Sequence, residues 1–152
     1  MTPDNMMVAA TIDRIFPEAR YIHSVRHGLD VASSVVPLGW GPNNHRDAIR
    51  WWATKLLEGS RELSWLPDER LLTLRFEDLV RDARIESVDL IAKLVGVERA
   101  ASGHDYLERE VTAERSHLGR WKTDLPAEEL DVLVSLYEMT IRELIASGVS
   151  CI

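Results

Sequence analysis

Residues 16–35, FPEARYIHSVRHGLDVASSV, decide how this chain is read. Within them RYIHSVR is a compact apolar run between turn-forming neighbours, with Tyr21, Ile22 and Val25 spread over both side-chain parities. That pattern suits a parallel strand covered on two faces better than a hairpin strand with one wet face. The strand ends on Arg26, and a helix opens near Gly28 to Asp30 carrying Ser33 and Ser34. In open α/β sheets, ligands collect beyond the carboxyl ends of parallel strands, where the next helix points its unpaired N–H groups. An arginine at that rim can hold a phosphate through two parallel charge-assisted hydrogen bonds, and Ser34 can add a donor. Asp30 is expected to satisfy backbone N–H groups at the helix start. The same spacing is equally compatible with Arg26 pairing with a carboxylate while Ser33 and Ser34 merely line a helix.

Working outward, residues 3–16 place Met7, Ala10, Ile12 and Ile15 at loosely helical spacing behind a Pro-Asp-Asn opening that can cap the first turn. HRDAIRWWATKLLEGSREL, residues 45–63, forms the longest helix, with Ile49, Trp52, Leu56 and Leu63 in register. RLLTLRF is a second apolar strand, followed by Glu77 and Asp78, which suit the cap of the next helix. Val88, Ile91, Leu94 and Val95 mark that amphipathic helix, and Gly96 closes it. Residues 98–125 read as polar and irregular, after which Pro126 opens a final helix. Its apolar stripe runs through Leu130, Leu133, Val134, Tyr137, Ile141, Leu144 and Ile145. Strands separated by helices require crossovers, so the fold class is α/β: a partial parallel sheet of few strands, helix-rich, within a single domain spanning 1–152.

Composition limits the partners. A formal charge of −7 argues against a broad nucleic-acid surface, which needs a basic footprint to displace counterions, so any anion site must be local. The lone Cys151 excludes an internal disulfide or a CxxC motif and suits a reducing cytoplasm. No apolar run reaches the roughly 18 residues of a membrane span, and no basic-then-apolar leader opens the chain. His23 reads as a buried strand residue, and His45, His104 and His117 lack ligand spacing, so no metal is expected. Trp51, Trp52 and Trp65 read as core or partner-facing residues of the central helical segment, whereas Trp40, in a glycine-rich loop, is a candidate for an acceptor pocket.

FPEARYIHSVRHGLDVASS resembles the 3′-phosphate-binding segment of sulfotransferases that use 3′-phosphoadenosine 5′-phosphosulfate, a strand followed by R-x-x-x-D-x-x-x-S matched by Arg26, Asp30 and Ser34. LLTLRFEDLVRD is similar to that family's R-[YF]-E-D-L segment, and ERSHLGRWKTDLPAEEL to its late nucleotide-covering loop; TPDN before a helix is similar to its bacterial members. The resemblance implies a P-loop NTPase-like fold and the phosphosulfate nucleotide as co-substrate. It also implies that Arg26 and Ser34 hold the 3′-phosphate, that Phe76 lies near the adenine, and that Arg115, Ser116, Gly119 and Arg120 wrap the phosphate side. The match departs at Glu114, where a basic residue is usual, and at Ser116, where glycine is usual.

The family's glycine-rich phosphosulfate loop and its usual base precede this segment. No G-x-x-x-x-G-K-[ST] element occurs here, and the lysines are Lys55, Lys93 and Lys122. The expectation is therefore a C-terminal portion of a sulfotransferase missing its first strand, with catalytic residues unassigned. An edge left open in this way favours a homo-oligomer or an N-terminal partner fragment. Three functions compete: sulfuryl transfer to a hydroxyl or amine acceptor, a non-catalytic nucleotide 3′-phosphate-binding module, and an interaction protein retaining the motifs as relics.

Overall fold

A computed structural model describes residues 3–97, 101–111 and 113–152, leaving Thr2 of the opening motif and residues 98–100 and 112 of the polar stretch outside the described residues. A 3-10 segment, Pro3–Val8, leads into α1 (Ala9–Ile15). The expected cap from Pro3 and Asp4 rests on side chains outside the description. The chain then forms β1 (Tyr21–Val25), α2 (Gly28–Val35), α3 (His45–Leu63) and β2 (Leu71–Arg75). A π-helical turn, Asp78–Asp82, precedes α4 (Arg84–Val95).

The sheet has two strands, β1 and β2, parallel and in register from Tyr21 opposite Leu71 to Val25 opposite Arg75. The crossover through α2 and α3 is the expected one, because parallel neighbours cannot be joined by a tight turn. The expectation of two covered faces is corrected: His23 and Val25 are buried, but Ile22, on the opposite parity, is 48% exposed.

α3 is the backbone of the packing. Asn44 caps it by accepting the Asp47 N–H at 2.9 Å. Ala48 and Ile49 pack with Leu29, Ala32 and Val35 of α2, while Trp52 and Leu56 meet Val25 and the C-terminal segment. The final helix, α8 (Leu130–Ala146), brings Leu133 and Leu144 onto the same two clusters. Gly28 is required by this meeting of elements: a Cβ there would stand 2.7 Å from the Trp52 ring and 2.8 Å from the Tyr137 ring.

Two boundaries depart from expectation. The polar stretch contains α5 (Ala101–Glu110) and the short helices α6 (Ala113–Ser116) and α7 (Trp121–Asp124). Arg84 of α4 donates to the carbonyls of Leu107, within α5, and of Val111, just after it. The last helix, α8 (Leu130–Ala146), starts four residues after Pro126, because residues 126–129 form a separate turn in which Glu129 N–H donates to the Pro126 carbonyl. Ile145, assigned to its apolar stripe, is 58% exposed.

Candidate functional site

The carboxyl end of β1 is fixed by side chains from two other elements. The Arg26–His27 peptide has both polar groups engaged: the Trp52 indole Nε1 donates to the Arg26 carbonyl at 3.1 Å, and the His27 N–H donates to Glu77 Oε1 at 3.0 Å. Glu77 is buried and lies just past β2. The capping role expected of Glu77 is thus corrected, since its carboxylate ties the ends of the two strands together, and the turn after it shows no side-chain cap.

Arg26 leaves this pinned peptide half-buried. Its Nη2 donates to the His117 carbonyl at 2.9 Å, and its guanidinium lies 5.3 Å from the centre of the Phe76 ring. Among the described residues, its buried Nε has no hydrogen-bond partner.

Asp30 is 2% exposed and does not cap its own helix as expected. One oxygen accepts the Gly119 N–H at 2.9 Å and the other the Trp121 N–H at 3.2 Å. The sequence suggested a local cap because Asp30 falls in the first turn of α2. The competing donors come from 89 and 91 residues away, and only folding reveals them. With the Trp121 ring stacked on His27 at 5.8 Å, these bonds clasp residues 117–121 over the start of α2.

A cavity of about 540 Å³ lies under this clasp, within the range of about 300–1,000 Å³ usual for small-molecule sites. Arg26, Ser34 and Arg120 line it together, as do His45 and His117, which the sequence reading left without a role. The signal for His45 was its place at the start of α3, but its nearness to Arg26 depends on how α3 packs. Ser34 is exposed, and its hydroxyl currently donates to the Val31 carbonyl at 3.1 Å. Arg120 Nη2 pairs with Asp124 at 2.9 Å.

The remaining sequence-level candidates stand elsewhere. Phe76 flanks Arg26 rather than lining the cavity. Arg115 is exposed and pairs with Glu110 at 3.3 Å, Ser116 is buried in α6, and Gly119, at φ 71°, offers its N–H to Asp30.

Arg26 and Ser34 also border a more apolar groove of about 550 Å³ that runs along β1. Trp40, 63% exposed, stands at its mouth with its ring edge-on to Trp51 at 6.2 Å. Trp65 falls after the end of α3 and is exposed, which corrects its assignment to the helix. Among the described residues, no group of three or more His, Cys, Asp or Glu side chains is placed to hold a metal ion. Among them, too, no helix is long and apolar enough to cross a membrane.

A parallel strand pair joined through helices, with an arginine at its carboxyl rim and a serine-bearing helix beyond it, is an α/β arrangement. A family model described as the sulfotransferase family matches residues 1–100, so the chain belongs to that family. The match includes Arg26, Asp30, Ser34 and the segment around Phe76, and stops short of the 117–121 turn. Searches of curated proteins and of solved structures return no match.

Proposed function

We propose that the cavity beneath the 117–121 turn takes the 3′-phosphate of 3′-phosphoadenosine 5′-phosphosulfate, and that the chain serves sulfuryl transfer from that donor to a hydroxyl or amine acceptor. The observation that carries this reading is the joint presence of Arg26, Ser34 and Arg120 in one cavity at the carboxyl end of β1. Family membership supports the reaction class.

In this reading the guanidinium of Arg26 supplies a planar fork of donors, held in place by the pinned peptide behind it. Ser34 turns its hydroxyl from the Val31 carbonyl toward the phosphate, and Arg120 exchanges part of its pairing with Asp124 for the same oxygens. Phe76 holds the Arg26 guanidinium flat and presents its remaining face toward the base. Arg115, Ser116 and Gly119 act from the surrounding turn, Gly119 by keeping the clasp closed through Asp30. The chain works as one domain of P-loop-like sulfotransferase architecture in the cytoplasm.

Adenosine 3′,5′-bisphosphate tests the reading directly. A ligand bound by the native state alone stabilises it, by about 2.7 kcal/mol at a hundredfold excess over its Kd. The expected result is a raised thermal-unfolding midpoint that disappears in Arg26→Ala and survives in reduced form in Arg26→Lys. No rise at millimolar ligand, or an equal rise in Arg26→Ala, rejects the site. A labelled phosphosulfate donor offered with hydroxyl and amine acceptors then separates transfer from binding alone.

A further inference from the structure

The cavity's charges nearly cancel before any ligand enters. Two guanidiniums, Arg26 and Arg120, face two carboxylates, Asp30 and Asp124, so the net charge of the lining is set by His45 and His117. An anion site with a balanced lining has little to offer a doubly charged group unless a proton accompanies it.

The two histidines differ. His117 Nδ1 lies 3.3 Å from Arg120 Nη1, and because a guanidinium can only donate, that contact needs Nδ1 as an acceptor. Arg120 therefore engages His117 at this nitrogen. His45 is half-buried and occupies the first position of α3. Arg26 and Arg120 line the same cavity, and the exposed Arg46 follows His45 on the helix.

The acidic side chains near His45 already have partners. Asp30 accepts from two backbone N–H groups of the turn, Asp124 pairs with Arg120, and Asp47 on the same helix accepts from Asn44 and Arg50. An incoming dianion adds two negative charges to a lining whose two guanidiniums are already balanced by two carboxylates. We propose that His45 is a further anion ligand of this cavity and that it takes up a proton when a dianionic group binds. The proposal rests on the nucleotide-phosphate reading given above.

Inorganic sulfate is the probe, because it stays doubly charged across the range in which a phosphate ester itself gains a proton near pH 6. Nuclear magnetic resonance titrations of the whole chain, with circular dichroism verifying the fold at each pH, compare affinities at about pH 6.2 and 7.8, which bracket ordinary histidine titration. Sulfate should bind at least about threefold more tightly at the lower pH, as expected when binding takes up a proton. His45→Gln should lose that difference and keep the weaker affinity, and His45→Arg should bind with the stronger affinity at both pH values.

An equal pH effect in His45→Gln, or a flat response in the unmodified chain, overturns the role of His45. If adenosine 3′,5′-bisphosphate still binds in an Arg26-dependent manner in that case, the nucleotide reading stands without it. If neither sulfate nor the bisphosphate binds at either pH, both readings fall together.

Discussion

At the scale of single residues, the site depends on groups that never touch the cavity. Glu77 receives the His27 N–H while Trp52 donates to the Arg26 carbonyl, so one peptide plane is held from two directions and the direction of Arg26 follows. Replacing Glu77 by leucine leaves the N–H without its partner, at a cost of about 1–3 kcal/mol. Urea unfolding of Glu77→Leu should show a loss of that size, and the stabilisation by adenosine 3′,5′-bisphosphate should shrink with it. Glu77→Gln retains a carbonyl acceptor and should recover most of both. A Glu77→Leu protein as stable as the parent would mean that the peptide plane is set by other contacts. This role was not legible in the sequence. A carboxylate just past a strand and before a helical turn suits a cap, and its actual donor lies 50 residues earlier.

At the scale of elements, β1 and the cap position that follows it carry one histidine each, His23 and His27, whose environments work against charge. Burial pushes His23 below the usual histidine range. It does the same to His27, with Asp30 and Glu77 opposing and the cations Arg75 and Lys122 adding to it. In the unfolded chain both take up protons near pH 6.5, whereas the folded chain binds them only at lower pH. The unfolded state therefore holds more protons within this window, and stability is complete above about pH 6.5 and declines as pH falls below it. The urea midpoint should be lower at pH 5.5 than at pH 7.5, and His23→Gln should lose part of that dependence. Carboxylates titrate lower still and leave the window to the histidines. A midpoint unchanged across this interval would show that neither ring is held neutral by the fold.

At the scale of the whole molecule, β1 is hydrogen-bonded to β2 on one side, and among the described residues no other strand covers its outer edge. Unpaired N–H and C=O groups along such an edge, beside an apolar groove and an exposed Ile22, favour pairing with a second copy. Sedimentation velocity should show concentration-dependent association in the tens of micromolar, and Ile22→Lys should suppress it by placing a charge on the edge. A monomer at all concentrations, unaffected by Ile22→Lys, would mean that the edge is protected in solution.

Much of the architecture was legible beforehand because it is written in local periodicity. The apolar runs at Tyr21–Val25 and Leu71–Arg75 became the two strands, and the 3.6-residue stripe of His45–Leu63 became the long helix that packs them. Arg26 at the rim of β1 and Ser34 on the helix beyond it follow from the same order of elements. Residues 98–125 were harder to read, because short helices held by local backbone bonds need no apolar repeat. What the chain by itself determined is the sequence of strands and helices and the residue types at their ends. The clasp of Asp30 on the 117–121 turn, the bridge from Glu77 and the meeting of His45 and Arg26 in one cavity were decided only by tertiary packing. Their partners lie far apart along the chain, and a hydrogen bond or a shared cavity between distant residues leaves no periodic trace in the sequence.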